Sequence, residues 1–199
     1  DGTMLLFNEI EGLESRLLLL DVTENGSSSS ASQPRLVTLP EEDVFPFRAS
    51  WISPTEFFYT ADGEIKRRDL VLNDPESVAF KATVTLERHT YRRRRRDFDS
   101  TDPQPVLGIV TPAVSPDGNN IAFVALGDLW LLPIGGKPER LTEDSFFEIH
   151  PAWSSDGEQL VYACDRAGTI DLWIRNLRTG EDRQLTDLPG AETYPTWSP

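Results

Sequence analysis

Apolar residues along this chain come in short bursts separated by Pro, Gly, Asn, Asp and Ser. Ile121-Ala122-Phe123-Val124-Ala125 and Leu160-Val161-Tyr162-Ala163-Cys164 are continuous apolar runs, the pattern of strands covered on both faces. Val78, Phe80, Ala82, Val84 and Leu86 instead alternate with Ala79, Lys81, Thr83, Thr85 and Glu87, which predicts a strand with one mostly buried face. Further strands are predicted at Met4 to Asn8, Ser15 to Val22, Arg35 to Leu39, Phe57 to Thr60 and Glu64 to Asp69. Asp62-Gly63 between the last two is a two-residue hairpin signal. No segment carries the apolar 3.6-residue period of an amphipathic helix over a useful length.

The bursts repeat. Pro112-Ala113-Val114-Ser115-Pro116-Asp117-Gly118 returns as Pro151-Ala152-Trp153-Ser154-Ser155-Asp156-Gly157 and again as Pro195-Thr196-Trp197-Ser198-Pro199. Asp128-Leu129-Trp130 is answered by Asp171-Leu172-Trp173, and Arg140-Leu141-Thr142 by Gln184-Leu185-Thr186. Trp130 and Trp173 lie 43 residues apart, and Trp153 and Trp197 lie 44 apart, the period of a four-stranded propeller blade. Two looser repeats precede them, one with Trp51-Ile52-Ser53-Pro54 in the place of the phrase. The repeats run over about 1–54, 55–116, 117–155 and 156–199 and share one phase at both ends, so the expectation is a segment of a longer chain. The predicted fold class is all-β, a propeller-type array of about four four-stranded antiparallel blades forming an incomplete propeller. A single such sheet leaves both faces uncovered and must stack against its neighbours. Thr193 to Ser198 reads as a first strand without its blade and Met4 to Asn8 as part of a blade without its first strand. The two are expected to pair, within one chain or between two copies in a homodimer.

With the phrase P-x-W-S-P-D-G, an apolar strand, D-L-W and a closing L-T, Pro112 to Pro199 resembles the TolB-like family of β-propellers. A narrower resemblance runs through Tyr59 to Gly63, Phe80-Lys81-Ala82, Glu87-Arg88, Tyr91-Arg92, Gly108-Ile109 and Ala122 to Trp130. It is similar to the propeller segment preceding an amidohydrolase domain in large exported bacterial proteins. Asp128-Leu129-Trp130 and Gly135-Gly136 to Leu141-Thr142 are also similar to the propellers of tricorn-type and prolyl-oligopeptidase-type peptidases. These resemblances imply a non-catalytic module that binds protein or peptide, or covers the active site of an amidohydrolase domain absent from this chain. The alternative they imply is a substrate gate for a peptidase. They also imply a periplasmic or exported location.

Composition narrows the chemistry. The 199 residues carry 19 Lys and Arg against 33 Asp and Glu, a formal charge of −14 that repels polyanions, so nucleic acid is not an expected partner. No apolar run is long enough for a membrane-spanning helix, and no membrane insertion is expected. One cysteine, Cys164, and two histidines, His89 and His150, offer no metal-ligand spacing, and the histidines are expected at the surface or on strand edges. No G-x-S-x-G elbow occurs. No catalytic, metal-binding or cofactor-binding residue is therefore expected. Asp117 and Asp156 are read as turn caps, and the in-phase tryptophans as filling between blades. The charge anomaly is Arg92, Arg93, Arg94, Arg95 and Arg96, followed by Asp97 and Asp99. This run and Arg166, in a hairpin with Asp165 and Gly168, are the candidate interaction residues. The insertion Asn25 to Ser32 is expected to be a mobile loop.

Overall fold

Short strands joined by tight turns can only make small antiparallel sheets, and four of these form. The computed structural model describes residues 2–22, 33–87, 97 and 99–199. The insertion at 25–32 and the arginine run at 92–96 lie outside the described residues. Blade 1 holds β1 (Met4–Glu11), β2 (Glu14–Asp21) and β3 (Arg35–Leu36), and its first strand is β16 (Ala191–Trp197) from the other end of the chain. Blade 2 is β4 (Ser50–Trp51), β5 (Glu56–Ala61), β6 (Glu64–Asp69) and β7 (Pro75–Ser77). Blade 3 is β8 (Ile109–Val114), β9 (Asn120–Ala125), β10 (Asp128–Pro133) and β11 (Glu139–Arg140). Blade 4 is β12 (Glu148–Trp153), β13 (Gln159–Cys164), β14 (Asp171–Asn176) and β15 (Asp182–Gln184). Every pairing is antiparallel, and no helix occurs among the described residues.

The repeated phrase makes the first strand and its turn. In blades 3 and 4 the N–H of Gly118 and Gly157 donates to the Ser115 and Ser154 carbonyls at 2.9 and 3.0 Å, with both glycines at φ 73°. Asp117 Oδ1 accepts from Ser115 Oγ and the Asn119 N–H, and Asp156 Oδ1 from Ser154 Oγ and the Glu158 N–H, so both carboxylates cap their own turns. The serine hydroxyls in turn accept from the N–H of Asn120 and Gln159. The same pair of bonds joins the chain's ends: Ser198 N–H donates to the Met4 carbonyl and Met4 N–H to Ser198 Oγ. β16 and β1 thus meet within one chain, in the register Leu5 opposite Trp197. At Asp62-Gly63 both residues have positive φ, 55° and 76°, the two-residue turn that matches strand twist.

Three buried clusters hold the blades together. Leu5, Phe7, Leu18 and Leu20 of blade 1 pack with Val161, Ala163, Leu172 and Ile174 of blade 4 and with Trp197. Leu6, Leu17 and Leu19, on the opposite face of blade 1, pack with Phe57, Tyr59 and Ala61 of blade 2. Val124 and Leu129 of blade 3 meet Tyr162 and Cys164 of blade 4. The order in space is therefore blade 2, blade 1, blade 4, blade 3. Tryptophan N–H groups stitch the same junctions: Trp153 Nε1 donates to the Ala113 carbonyl at 2.9 Å and Trp51 Nε1 to the Thr196 carbonyl at 3.4 Å.

Among the described residues no cluster joins blade 2 to blade 3. The alternating stretch Val78 to Glu87, expected to bury one face, instead leaves β7 after Ser77 and runs extended, with Phe80, Val84 and Leu86 exposed by 67, 74 and 85%. Alternation creates an apolar face but does not supply the neighbour that covers it. The closure between β16 and β1 gives the first prediction. Leu5→Ala and Trp197→Ala should each lower the urea midpoint and, combined, show a coupling energy of about 0.5–3 kcal/mol. Strictly additive effects would mean that the two strands do not pack together in solution.

Candidate functional site

Two kinds of polar cluster lie between the blades. The first is a repeated clamp at the start of each first strand. In blades 3 and 4 the hydroxyls of Thr142 and Thr186 accept the N–H of Leu129 and Leu172, and donate to Glu148 Oε2 and Glu192 Oε2 at 2.9 and 3.0 Å. One threonine thus ties the third strand of its own blade to the first strand of the next. Both glutamates are fully buried, and what surrounds them differs. Glu148 Oε1 faces Cys164 Sγ at 3.6 Å and Arg166 at 3.5 Å, while Glu192 is opposite Glu9 in the strand ladder and interacts with buried Asp171. Burial pushes Glu148 up to about 7, opposed by Thr142 and Arg166. For Glu192, burial together with Asp171 and Glu9 lifts the carboxyl to about 8. Asp171 Oδ1 and Glu192 Oε1 find no hydrogen-bond donor in the protein, so this pair needs a proton of its own.

Arg166 belongs to that clamp. Its guanidinium contacts Glu148, Asp144 and Asp182, stacks over Trp173 at 4.6 Å, and has a side chain only 15% exposed. The hairpin therefore turns this arginine inward, between blades 3 and 4. Arg92, Arg93, Arg94, Arg95 and Arg96, with His89, lie outside the described residues. Blade 2 buries a further network, in which Glu42 accepts from Tyr59, Lys66 and Arg68 at 2.6, 3.0 and 2.6 Å. Each of its charges is matched, which suits a structural role.

The second kind of cluster gathers around the first strands, where inter-blade contacts concentrate. Counting three residues back from each tryptophan position gives Arg48, Thr111, His150 and Tyr194, one from each blade. Thr111, His150 and Tyr194 each precede a proline, each sit at a break in strand register, and each have positive φ, at 46°, 56° and 52°. A residue before proline is normally held in the extended region, so the bulge imposes this geometry three times over. The result is contact between blades. The His150 and Tyr194 rings stack with centroids 3.6 Å apart, and Tyr194 N–H donates to His150 Nδ1 at 3.4 Å. Arg48 Nη2 donates to the Pro151 carbonyl at 3.2 Å. His150, expected at the surface or on a strand edge, lies on the edge strand β12 and is buried there, because the bulge turns its ring against the neighbouring blade. Burial and Arg48 push its pKa down to about 4 and keep the ring neutral near pH 7. Arg48 has lost hydration to the surrounding protein, which lowers its pKa, yet its side chain remains open to solvent. Arg48 is thus a solvent-open cation at the seam where the first-strand segments of blades 2 and 4 meet.

A profile of the PD40 family, described as the TolB beta propeller domain, matches residues 77–199. The chain belongs to the TolB beta-propeller family. Among curated relatives, the uncharacterized peptidase YuxL of Bacillus subtilis is 29% identical over 110 residues, covering 49% of this chain and 17% of YuxL. The Tol-Pal system protein TolB of Desulfosudis oleivorans is 35% identical over 86 residues, covering 41% of this chain and 19% of that protein. The solved TolB of Acinetobacter baumannii aligns over 98% of this chain and 44% of its own at 16% identity, with a TM-score of 0.40. The matched regions thus span under a fifth of each curated relative.

In this TolB-family propeller the repeat picks out Thr142 and Thr186 but passes over Glu148, Glu192 and the seam around His150 and Tyr194. Among the described residues no group of three or more His, Cys, Asp or Glu is arranged to hold a metal ion. Arg48 and Tyr194 attract no attention by type, and the signal that finds them is the tryptophan-minus-three position, where four repeats carry four different residues. The clamp yields a pH prediction. Glu192 binds its proton more tightly folded than unfolded, so stability should fall as pH rises from about 4.5 to about 8. About 1.4 kcal/mol per pKa unit sets the scale. Glu192→Gln should flatten this slope and raise the urea midpoint at the alkaline end, and an unchanged slope would remove the pair as its cause.

Proposed function

We propose that this chain is a non-catalytic binding propeller that receives a protein or peptide segment at the seam formed by Arg48, His150 and Tyr194. The observation that carries this reading is that the repeats agree where they build structure and differ at the position three residues before each tryptophan place. Thr142 and Thr186, with Glu148 and Glu192, make the same bonds in successive blades. Arg48, Thr111, His150 and Tyr194 share a position but no chemistry, as expected where side chains answer to a ligand rather than to the fold. No nucleophile is paired with a base at the seam among the described residues: His150 is packed against Tyr194, whose N–H it accepts. Membership of the TolB beta-propeller family and the match to a Tol-Pal system protein support an interaction role.

A second reading is favoured by the match to YuxL, whose description is that of a peptidase. On that reading the propeller screens access to a catalytic domain of the same protein, and the bound segment is substrate in transit. The amidohydrolase association drawn from Tyr59 to Trp130 is a variant of it, with a different domain beyond the propeller. An exported or periplasmic location belongs with the interaction role. Selection of a random peptide library on the purified chain tests the main reading. Selected peptides should bind with micromolar affinity and lose at least tenfold on Tyr194→Ala or His150→Ala. Binding indifferent to both substitutions, or turnover of peptide or amide substrates by the chain alone, would refute it.

A further inference from the structure

We infer that this seam is a carboxylate subsite, in which the exposed Arg48 pairs with the anionic group of the bound segment beside the stacked His150 and Tyr194 rings; this rests on the binding role proposed above. Most described arginines in this chain already have carboxylate partners. Arg16 contacts Glu9, Glu11 and Glu14; Arg68 contacts Glu42; Arg140 contacts Asp128; Arg166 contacts Glu148; and Arg175 contacts Asp182. Arg48 has none among the described residues, despite the excess of 33 acids over 19 bases. The groups that share its field are the Tyr194 phenol and the His150 ring, and its bond is to the Pro151 carbonyl. That bond engages one guanidinium nitrogen, and the planar fork has further N–H donors to offer a carboxylate.

The surroundings favour an anion locally and exclude a polyanion globally. His150 is neutral near pH 7, so it does not compete for the ligand's charge, and the stacked pair gives a flat aromatic wall beside the cation. Strands held by their neighbours keep this wall in place: Trp51 Nε1 is bonded to Thr196 O on one side of Tyr194, and β12 and β16 pack directly. The charge of −14 opposes nucleic acid or an acidic protein surface. A single carboxylate on an otherwise uncharged or basic segment meets no such opposition. Peptide carboxylates come from a C-terminus or from an Asp or Glu side chain, and both present the same planar pair of oxygens.

The test uses the whole chain and N-acetylated tripeptides in three forms: free C-terminal acid, C-terminal amide, and amide with an internal Asp. Two histidines in 199 residues make the His150 ring an assignable NMR reporter. The acid or the Asp peptide should bind at least about tenfold tighter than the plain amide, the scale of a charge-assisted hydrogen bond, and should shift the His150 signals. Which of the two gains identifies the source of the carboxylate. Arg48→Gln should erase the preference while the thermal melt is unchanged, and Arg48→Lys should retain part of it. Equal binding of all three with His150 perturbed would overturn the carboxylate assignment and leave the binding role standing. Binding of none would overturn both, and a preference surviving Arg48→Gln would place the anion elsewhere.

Discussion

A four-stranded sheet has two faces and too little thickness to hide either, and every other feature of this molecule follows from how those faces find cover. Blade 1 is the pivot, since Leu5 and Phe7 look toward blade 4 while Leu6, Leu17 and Leu19 look toward blade 2. Its position depends on β16, which brings Trp197 into the first of these clusters and completes the sheet at its inner edge. The strand comes from the far end of the chain, yet it meets β1 through the same serine-to-backbone pair that Ser115 and Ser154 make five residues ahead of themselves. A junction between remote segments is thereby made with local turn chemistry. Where no neighbour arrives, the cost is visible: Ile109, Val110 and Val114 of β8 and the stretch from Phe80 to Leu86 keep large apolar surfaces in water.

Covering the faces leaves polar groups at the seams, and two of the three junctions, those of blade 3 with 4 and of blade 4 with 1, solve this with a single threonine each. Thr142 and Thr186 satisfy a backbone N–H of one strand and a glutamate of the next, so the hydrogen-bond demand of two elements is met by a single hydroxyl. The same device sits in two electrostatic settings, and burial raises both glutamates, to about 7 for Glu148 and about 8 for Glu192. At the junction of blades 3 and 4, Arg140 and Arg166 supply positive charge beside Asp128 and Glu148. Moving on one blade, Gln184 stands where Arg140 stands, Glu9 takes the register place of Cys164, and Glu192 is left facing Asp171 and Glu9. A buried carboxyl pair without a cation must hold a proton, so the alkali-sensitive range of that seam extends further, to about 8 against about 7 for Glu148.

The sequence made the blade legible because its turns are written in residues with few alternatives. Gly118 and Gly157 need positive φ, Asp62-Gly63 makes a two-residue turn, and Asp117 and Asp156 cap their own loops, each from a local cause. The family and fold could be read from that phrase alone. The failures concern relations between segments. Val78 to Glu87 has a strand's alternation, but its burial depended on a sheet that the folded chain does not bring there. Arg166 looked like a hairpin tip because its neighbours Asp165 and Gly168 are turn residues; its partners Glu148 and Asp182 come from other strands. His150 does sit on a strand edge, but its burial was not legible, since its partner, Tyr194, lies one repeat away.

That last pair shows why strain and inter-blade contact coincide. In a regular strand, side chains alternate between the two faces of the sheet, and both faces here are committed to packing. A third direction is available only at a bulge, which re-aims a side chain at the expense of the ladder. Three non-glycine residues in left-handed conformations before prolines cost on the order of 1–3 kcal/mol each, against a net stability that for a domain is only about 5–15 kcal/mol. A distortion that expensive survives because the flanking register is locked by Trp153 and Trp51 donating across the seams. What it gains is a position in every blade whose side chain is released from sheet packing. Thr111, His150 and Tyr194 hold that position at the bulges and Arg48 holds it in blade 2, and three of these four, Arg48, His150 and Tyr194, meet between blades. The fold thereby separates the positions that maintain it from those available for recognition.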